Sequence, residues 1–332
     1  MKNKIFALSL CAMFLFAGFA QAAPVFTDVP ADRAEAPAIE LMQALGIMQG
    51  VSEGQFAPEE SLTRAQFAAI SLELSGVAAA DMDLEDPVFT DVDSSYWAAG
   101  AIQTAAKLGY ITGNGDGTFS PETEITTMQA LKILTHILGY APFAELGGGY
   151  PSGYLKIASE QRLLNGVSIP ANQGLTRAQA AVLIENALNT PMMLSSFGET
   201  YQYYTEKDQT LLYVRFETKQ LKNVVVYANG TTTLSGGSSV GRNRISAGGE
   251  VFAVGNTPAE EYLGYSVSLY YKTDDDGTNQ IIYVSKDNKR NNAYTVKTGD
   301  VTGYSAGKLY WQDGDKKRNK NLPASADILY NG

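Results

Sequence analysis

Cysteine and histidine are nearly absent: the 332 residues hold one of each, Cys11 and His136. Zinc, iron–sulfur, haem and thiol chemistry draw on several such ligands, so this scarcity removes those classes of site together, and no cofactor is expected. A basic excess is also lacking. Lys and Arg number 25 against 35 Asp and Glu, for a formal charge of −10. Phosphate backbones are held by basic faces, so nucleic acid is not an expected partner. Apolar residues are not scarce. At 45% of the chain they can fill real cores, which argues against disorder or a fibre. The length exceeds that of one ordinary domain.

The chain opens with Lys2 and Lys4, an apolar run from Ile5 to Ala20, and the small-x-small triplet Ala20-Gln21-Ala22. This pattern predicts a secretory signal over residues 1–22, cut after Ala22. The apolar run is short for a membrane span of roughly 20 residues. Leu10 stands where a lipoprotein signal needs a small residue, so Cys11 is expected to leave with the signal. The mature chain then has no disulfide and no membrane segment, as in an exported bacterial surface protein.

Two composition regimes divide the rest. Residues 23–190 hold 7 basic and 20 acidic residues, whereas 191–332 hold 16 and 15. Of 19 tyrosines, 14 lie after residue 190. The split predicts two structural units that meet near Thr190-Pro191.

The first regime is repetitive. Val25–Val29 recurs as Val88–Val92, at an offset of 63 residues. The same offset relates Ile39 to Ile102, Gly50 to Gly113, Gly54 to Gly117, Phe56 to Phe119 and Thr63 to Thr126. A more degenerate copy begins near Phe143 and keeps Thr176-Arg177-Ala178-Gln179. The predicted units are 25–76, 88–140 and 143–190, each a helix, a loop and a second helix. In the second copy Trp97, Ala101, Ile102, Ala105 and Leu108 fall on one helical face. Units this small bury little surface alone, so the three second helices are expected to pack into one shared bundle.

The second helices start at Thr63-Arg64-Ala65-Gln66, Thr126-Thr127-Met128-Gln129 and Thr176-Arg177-Ala178-Gln179. Threonine followed three residues later by glutamine is a capping box. Capping does not explain Arg64 and Arg177, because a cation in the first turn opposes the helix dipole. Two readings stay open. The arginine and the helix N-terminus together hold an anion, with the guanidinium suited to a carboxylate. Alternatively, the arginine pairs with a nearby acid such as Asp28 or Glu60. The anion reading expects removal of either arginine to leave the fold intact.

The run from Val88 to Leu134 resembles an S-layer homology repeat, and Leu175-Thr176-Arg177-Ala178-Gln179 resembles that family's Thr-Arg-Ala-Glu signature with Gln for Glu. The resemblance covers residues 25–190. It implies a pseudo-threefold, all-α spindle of three repeats that binds secondary cell-wall polysaccharide, acidic or pyruvylated, in grooves between repeats. Residue by residue, it implies ligand-binding roles for Arg64 and Arg177. Thr127 replaces the arginine in repeat two, so that groove is expected to be weakened or lost. Asp28 and Asp91 match the opening acid, and Glu145 is an approximate counterpart. Trp97 matches the tryptophan before the first helix, with Tyr150 and Ala34 at the corresponding offsets. These aromatics either stack on sugar or join the core. Gly54 and Gly117 match loop glycines that admit a ligand or merely form a tight turn.

Other candidates for chemistry are bland. His136 lacks a partner histidine or cysteine and reads as packing or surface. Asn114-Gly115-Asp116-Gly117 and Asp274-Asp275-Asp276-Gly277 lack the full calcium-loop pattern. No acid pair stands out as a glycosidase dyad.

Residues 200–332 read as a β-rich module. The stretch from Thr210 to Gly230 alternates apolar and polar residues. Val267–Lys272 and Gln280–Lys286 read as a hairpin. A small barrel or sandwich of five to eight strands is expected over 200–290, within an α+β chain. The tyrosines are expected to pack across strands. The apolar close at Ile328-Leu329-Tyr330 predicts an interrupted module and a longer parent protein. The resulting functional reading is a non-catalytic wall anchor. Its alternatives are a wall-associated hydrolase and a self-associating surface-layer subunit.

Overall fold

The computed structural model describes residues 26–79, 88–167, 173–197, 201–234, 238–287, 290–291 and 296–321. The predicted signal segment and the C-terminal Ile328-Leu329-Tyr330 lie outside these residues. The chain is mixed α+β, with helices concentrated before residue 190 and strands after it.

In the first unit α1 (Ala36–Ala44) and α2 (Arg64–Ser75) flank a loop. In the second, α3 (Ala99–Lys107) and α4 (Thr127–Ile137) do the same. A short α5 (Ala141–Leu146), not expected from the sequence, precedes α6 (Ser152–Glu160) and α7 (Arg177–Leu188) of the third unit. All three capping boxes form. The hydroxyls of Thr63, Thr126 and Thr176 accept from the N–H of the glutamine three residues on, and each glutamine side chain accepts from its threonine N–H.

The main helix pairing differs from the expected bundle of second helices. Each second helix packs on the first helix of the following unit: α2 on α3, α4 on α6, and α7 back on α1. Direct contact between second helices is prominent only for α2 and α4. A cyclic set of backbone hydrogen bonds closes the same ring. The Ile125 N–H donates to Leu62, Leu175 to Ile125, and Leu62 to Leu175, each at 2.9 Å. The three residues precede the three caps and are buried. Amides joined this way satisfy one another within the buried interior. In α3, Ala101, Ile102 and Ala105 are buried as expected, whereas Trp97 lies before the helix and Leu108 after it, and both are exposed.

Strand structure begins at Pro191, earlier than the predicted residue 200. β1 (Pro191–Phe197) pairs antiparallel with β2 (Tyr201–Thr210). The alternating stretch after Thr210 does not begin as a strand. Leu211–Phe216 is a short helix, α8, because the Thr210 hydroxyl caps the Tyr213 N–H and Leu211 and Leu212 bury against α2 and α7. β3 (Lys219–Ala228), β4 (Arg244–Ala247), β5 (Glu250–Ala253), β6 (Ser266–Thr273) and β7 (Asn279–Lys286) come next. Their pairing order β3-β4-β5-β7-β6 closes on itself, with β5 and β7 parallel. Val226, Ile245, Phe252, Val267, Leu269 and Ile281 fill the interior. β8 (Val301–Ser305), β9 (Lys308–Asp313) and β10 (Lys316–Asn321) form a separate, largely exposed antiparallel sheet.

The helical region and the closed sheet share a core. Leu211, Leu212, Tyr270 and Tyr283 belong to the same buried cluster as the helices. The Tyr270 hydroxyl donates to Glu185 of α7 at 2.9 Å, and that of Tyr283 to Glu40 of α1 at 2.9 Å. Buried hydroxyls need such partners, and here the partners tie one half of the chain to the other.

Candidate functional site

The loops between first and second helices build the junctions between units. Asp28 accepts from the N–H groups of Phe56 and Ala57, at 2.9 and 2.7 Å. Asp91 accepts equivalently from Phe119 and Ser120, both at 2.7 Å. These bonds clamp Ala57 and Ser120 at positive φ. Burial opposes the Asp28 charge, but the two N–H groups and the Arg177 charge outweigh it and hold its pKa below the ordinary carboxylate value. Gly54 and Gly117 also lie at positive φ, and their carbonyls accept from the N–H groups of Thr27 and Thr90 at 2.9 Å. A Cβ would have room at either glycine, so the turn conformation, not close approach, requires them.

Arg64 and Arg177 are buried, each 8% exposed. The Arg64 Nε donates to the Phe119 carbonyl at 2.8 Å and its Nη2 to that of Thr112 at 3.1 Å. The Arg177 Nε and Nη2 donate to Phe56 and Gln49 at 2.7 and 2.6 Å. Each guanidinium also lies over a phenylalanine ring, 4.3 Å from the Phe119 centroid for Arg64 and 4.6 Å from that of Phe56 for Arg177. The arginine of one unit therefore stitches it to the loop of another. The same peptide links acid and arginine: Phe119 gives its N–H to Asp91 and its carbonyl to Arg64.

The ion-pair alternative is thereby corrected, and the helix N-terminus drops out of the anion reading. Neither forms an ion pair with Asp28, Glu60 or another acid among the described residues. The helix N-termini beside them offer no free donors. The Arg64 and Ala65 N–H groups donate to Thr123 and Pro121, and those of Arg177 and Ala178 to Glu60 and Pro58. With the third N–H on the cap, the first turn is fully used. Burial lowers the pKa of both guanidinium groups, opposed by Asp91 and Tyr150 around Arg64 and by Glu60 and Asp28 around Arg177. Both stay charged, because an arginine starts so high.

Arg64 is also part of a cleft wall. A cleft of about 190 Å³ is lined by Arg64 of the first unit, by Tyr110, Thr112, Gln129 and Lys132 of the second, and by Tyr150 ahead of α6. The Lys132 ammonium sits 5.9 Å from the Tyr150 ring centroid. Tyr150 is half exposed. The cleft thus combines two cations, the rings of Tyr110, Phe119 and Tyr150, and amide groups, a set that can hold an anionic group beside a sugar-like ring. Tyr110 and Lys132 were not singled out in the sequence, and Gln129 was read there only as part of a capping box. Their signal is the position of Gln129 and Lys132 on the polar, half-buried side of an amphipathic helix that also carries the capping motif.

The remaining candidates lie elsewhere. Trp97 is 56% exposed, packs against Tyr96 and is not part of this cleft. Thr127 is buried, and its hydroxyl has no partner. Glu145 accepts from the Tyr154 hydroxyl at 2.7 Å. That hydroxyl lies 2.9 Å from His136 Nε2. Burial and Lys132 lower the His136 pKa against the pull of Glu145. Asp116 and Asp276 spend their carboxylates on Thr118 and Thr278 of their own turns.

The S-layer homology domain family matches residues 25–68 and 88–131. A cell surface protein of Thermoanaerobacter kivui is 29% identical over 98% of this chain and 40% of its own length. The middle cell wall protein of Brevibacillus brevis is 24% identical over 82% of this chain and 27% of its length. An endoglucanase of Bacillus sp. is 33% identical over 30% of this chain and 11% of its length. The chain therefore spans less than half the length of these relatives. It is a secreted cell-surface protein that carries S-layer homology domains at residues 25–68 and 88–131.

Proposed function

We propose that residues 26–190 form a pseudo-threefold spindle of three S-layer homology repeats, the third being 143–190. The spindle anchors a non-catalytic protein to the bacterial wall by binding secondary cell-wall polysaccharide at junctions between repeats. The observation that carries this reading is the cyclic hydrogen bonding of Leu62, Ile125 and Leu175, because the third unit supplies one of its three equal members. The Arg64 cleft supports the choice of an acidic or pyruvylated glycan, since a fixed guanidinium and a lysine ammonium beside the rings of Tyr110 and Tyr150 suit a charged sugar. The closed sheet of β3 to β7 is proposed to act as a spacer that holds the later strands away from the wall. Self-association in a surface layer is a further proposal, favoured by the surface and wall proteins among the relatives.

The test is a pull-down of the whole mature chain with purified wall sacculi, before and after extraction of the secondary polysaccharide. Binding that disappears on extraction is expected. Binding that persists on the stripped peptidoglycan, or none to intact sacculi, refutes the reading.

A further inference from the structure

The three junctions share a backbone plan but not a set of side chains. At the first, Arg64 meets the loop of the second unit, with Lys132 one and a half turns into α4 and Tyr150 opposite. At the second, Arg177 meets the loop of the first unit. The position of Lys132 is there taken by Ala69, that of Tyr110 by Ile47, and that of Tyr150 by Trp97. At the third, Thr127 replaces the arginine, Val182 stands for Lys132 and Ala34 for Tyr150. At these equivalent positions the number of cations falls from two to one to none.

The packing at the third junction agrees with this order. A Cβ on Gly166 would lie 3.7 Å from a Val182 methyl group, so an aliphatic side chain occupies the place of the lysine. The Asn165 carbonyl, equivalent to the Thr112 carbonyl that Arg64 binds, instead accepts from Asn186 of α7 at 2.8 Å. Asn186 also donates to Leu163 at 2.9 Å. At the first junction, by contrast, two carbonyls fix the Arg64 guanidinium. A charge held in place before the ligand arrives loses little entropy on binding. Lys132 is a half-buried, compact cation on a flexible stem, its ammonium 5.9 Å from the Tyr150 ring centroid.

We propose that, of the three junctions, only the Arg64 junction is an acidic-glycan site, that Lys132 is the residue that selects for the anion, and that each chain holds one glycan segment. This rests on the anchoring reading above. Arg64 supplies fixed positive potential, Tyr150 and Tyr110 supply ring faces, and Lys132 supplies the second charge that the other junctions lack. The acidic group can be a carboxylate or a phosphate, since both suit paired cations.

The experiment is titration calorimetry on the whole mature chain with glycan fragments of defined size released from the sacculi. The fragments are used untreated, after reduction of their carboxylates, and after removal of phosphate with hydrofluoric acid. One untreated fragment per chain is expected, and one of the two treatments should abolish binding. Lys132→Gln should weaken binding at least tenfold at an unchanged melting temperature, and Lys132→Arg should retain it. Ala69→Lys should raise the stoichiometry to two. The proposal is overturned by two fragments per wild-type chain, by undiminished affinity in Lys132→Gln, by a stoichiometry of one in Ala69→Lys, or by binding that survives both treatments. If untreated fragments do not bind at all, the anchoring reading itself falls.

Discussion

The helical region and the closed sheet reach a buried core by different routes. Before residue 190, short helices of 6 to 12 residues are too small to stand alone, and a repeated motif closes them into a ring. Each unit lends its first helix to the unit before it, so no pair of helices within one unit is self-sufficient. After residue 218, five strands of unrelated sequence close around Val226, Ile245, Phe252 and Ile281, through pairs of consecutive strands joined by the more distant pairings β3–β6 and β5–β7. The capped helix start recurs three times among the described residues, and the Arg64 cleft lies where three units meet. The closed sheet has its own interior but contributes Tyr270 and Tyr283 to the helical core.

Core truncations sharpen this comparison most. Leu175→Ala, on the ring, and Ile245→Ala, inside the closed sheet, should each cost about 2–5 kcal/mol. Because the seam is a shared core, thermal unfolding followed by far-ultraviolet dichroism and by tyrosine fluorescence should shift together in both variants. Separate shifts, one probe for each variant, would break the picture of a common core.

The arginine stitches come next. Arg177→Ala removes two charge-assisted bonds and leaves the Phe56 and Gln49 carbonyls unmet, so it should cost about 2–4 kcal/mol. Thr127→Ala, at the junction without an arginine, should stay within about 0.5 kcal/mol. Chemical denaturation of the two variants measures the difference. Equal, small effects would show that the stitches do not hold the ring.

The smallest effect concerns pH at the seam. Burial raises the Glu185 pKa above its ordinary value, against the Tyr270 hydrogen bond and Lys222. An acid whose folded pKa is raised binds more protons folded than unfolded, so its contribution to stability falls as pH rises from the ordinary glutamate range through the folded pKa. Glu185→Gln keeps the acceptor for Tyr270 and should therefore be more stable than wild type at neutral pH, with the difference vanishing in acid. Asp28 has the opposite sign. Its lowered pKa contributes stability at neutral pH that is lost as pH falls through the folded value. Denaturation midpoints from acid to neutral pH for Glu185→Gln and Asp28→Asn separate the two.

The sequence by itself marked the 63-residue repeat, the change of composition near residue 190 and the three capped helix starts, whereas the two regions it separated share one core. Those marks are local matters. A capping box needs residues three apart, and an offset of 63 is visible without coordinates. It also marked Arg64 as anomalous, since a cation at a helix start conflicts with the dipole. Only the tertiary structure decided what resolves that conflict. The acceptors of Arg64 lie 48 and 55 residues away, and those of Arg177 lie 121 and 128 away. Main-chain carbonyls leave no mark in the side-chain pattern, so the pattern pointed to acids instead. The helix at Leu211–Phe216 escaped for a similar reason. An alternating run fits a strand until a threonine cap and a neighbouring helical core compete for Leu211 and Leu212. Lys132 was likewise an ordinary surface lysine in the sequence, and the approach of Arg64 and Tyr150 from two other units set it in a cleft. Local pattern specifies the elements, whereas their closure into a ring brings distant residues together, and the cleft exists only through that closure.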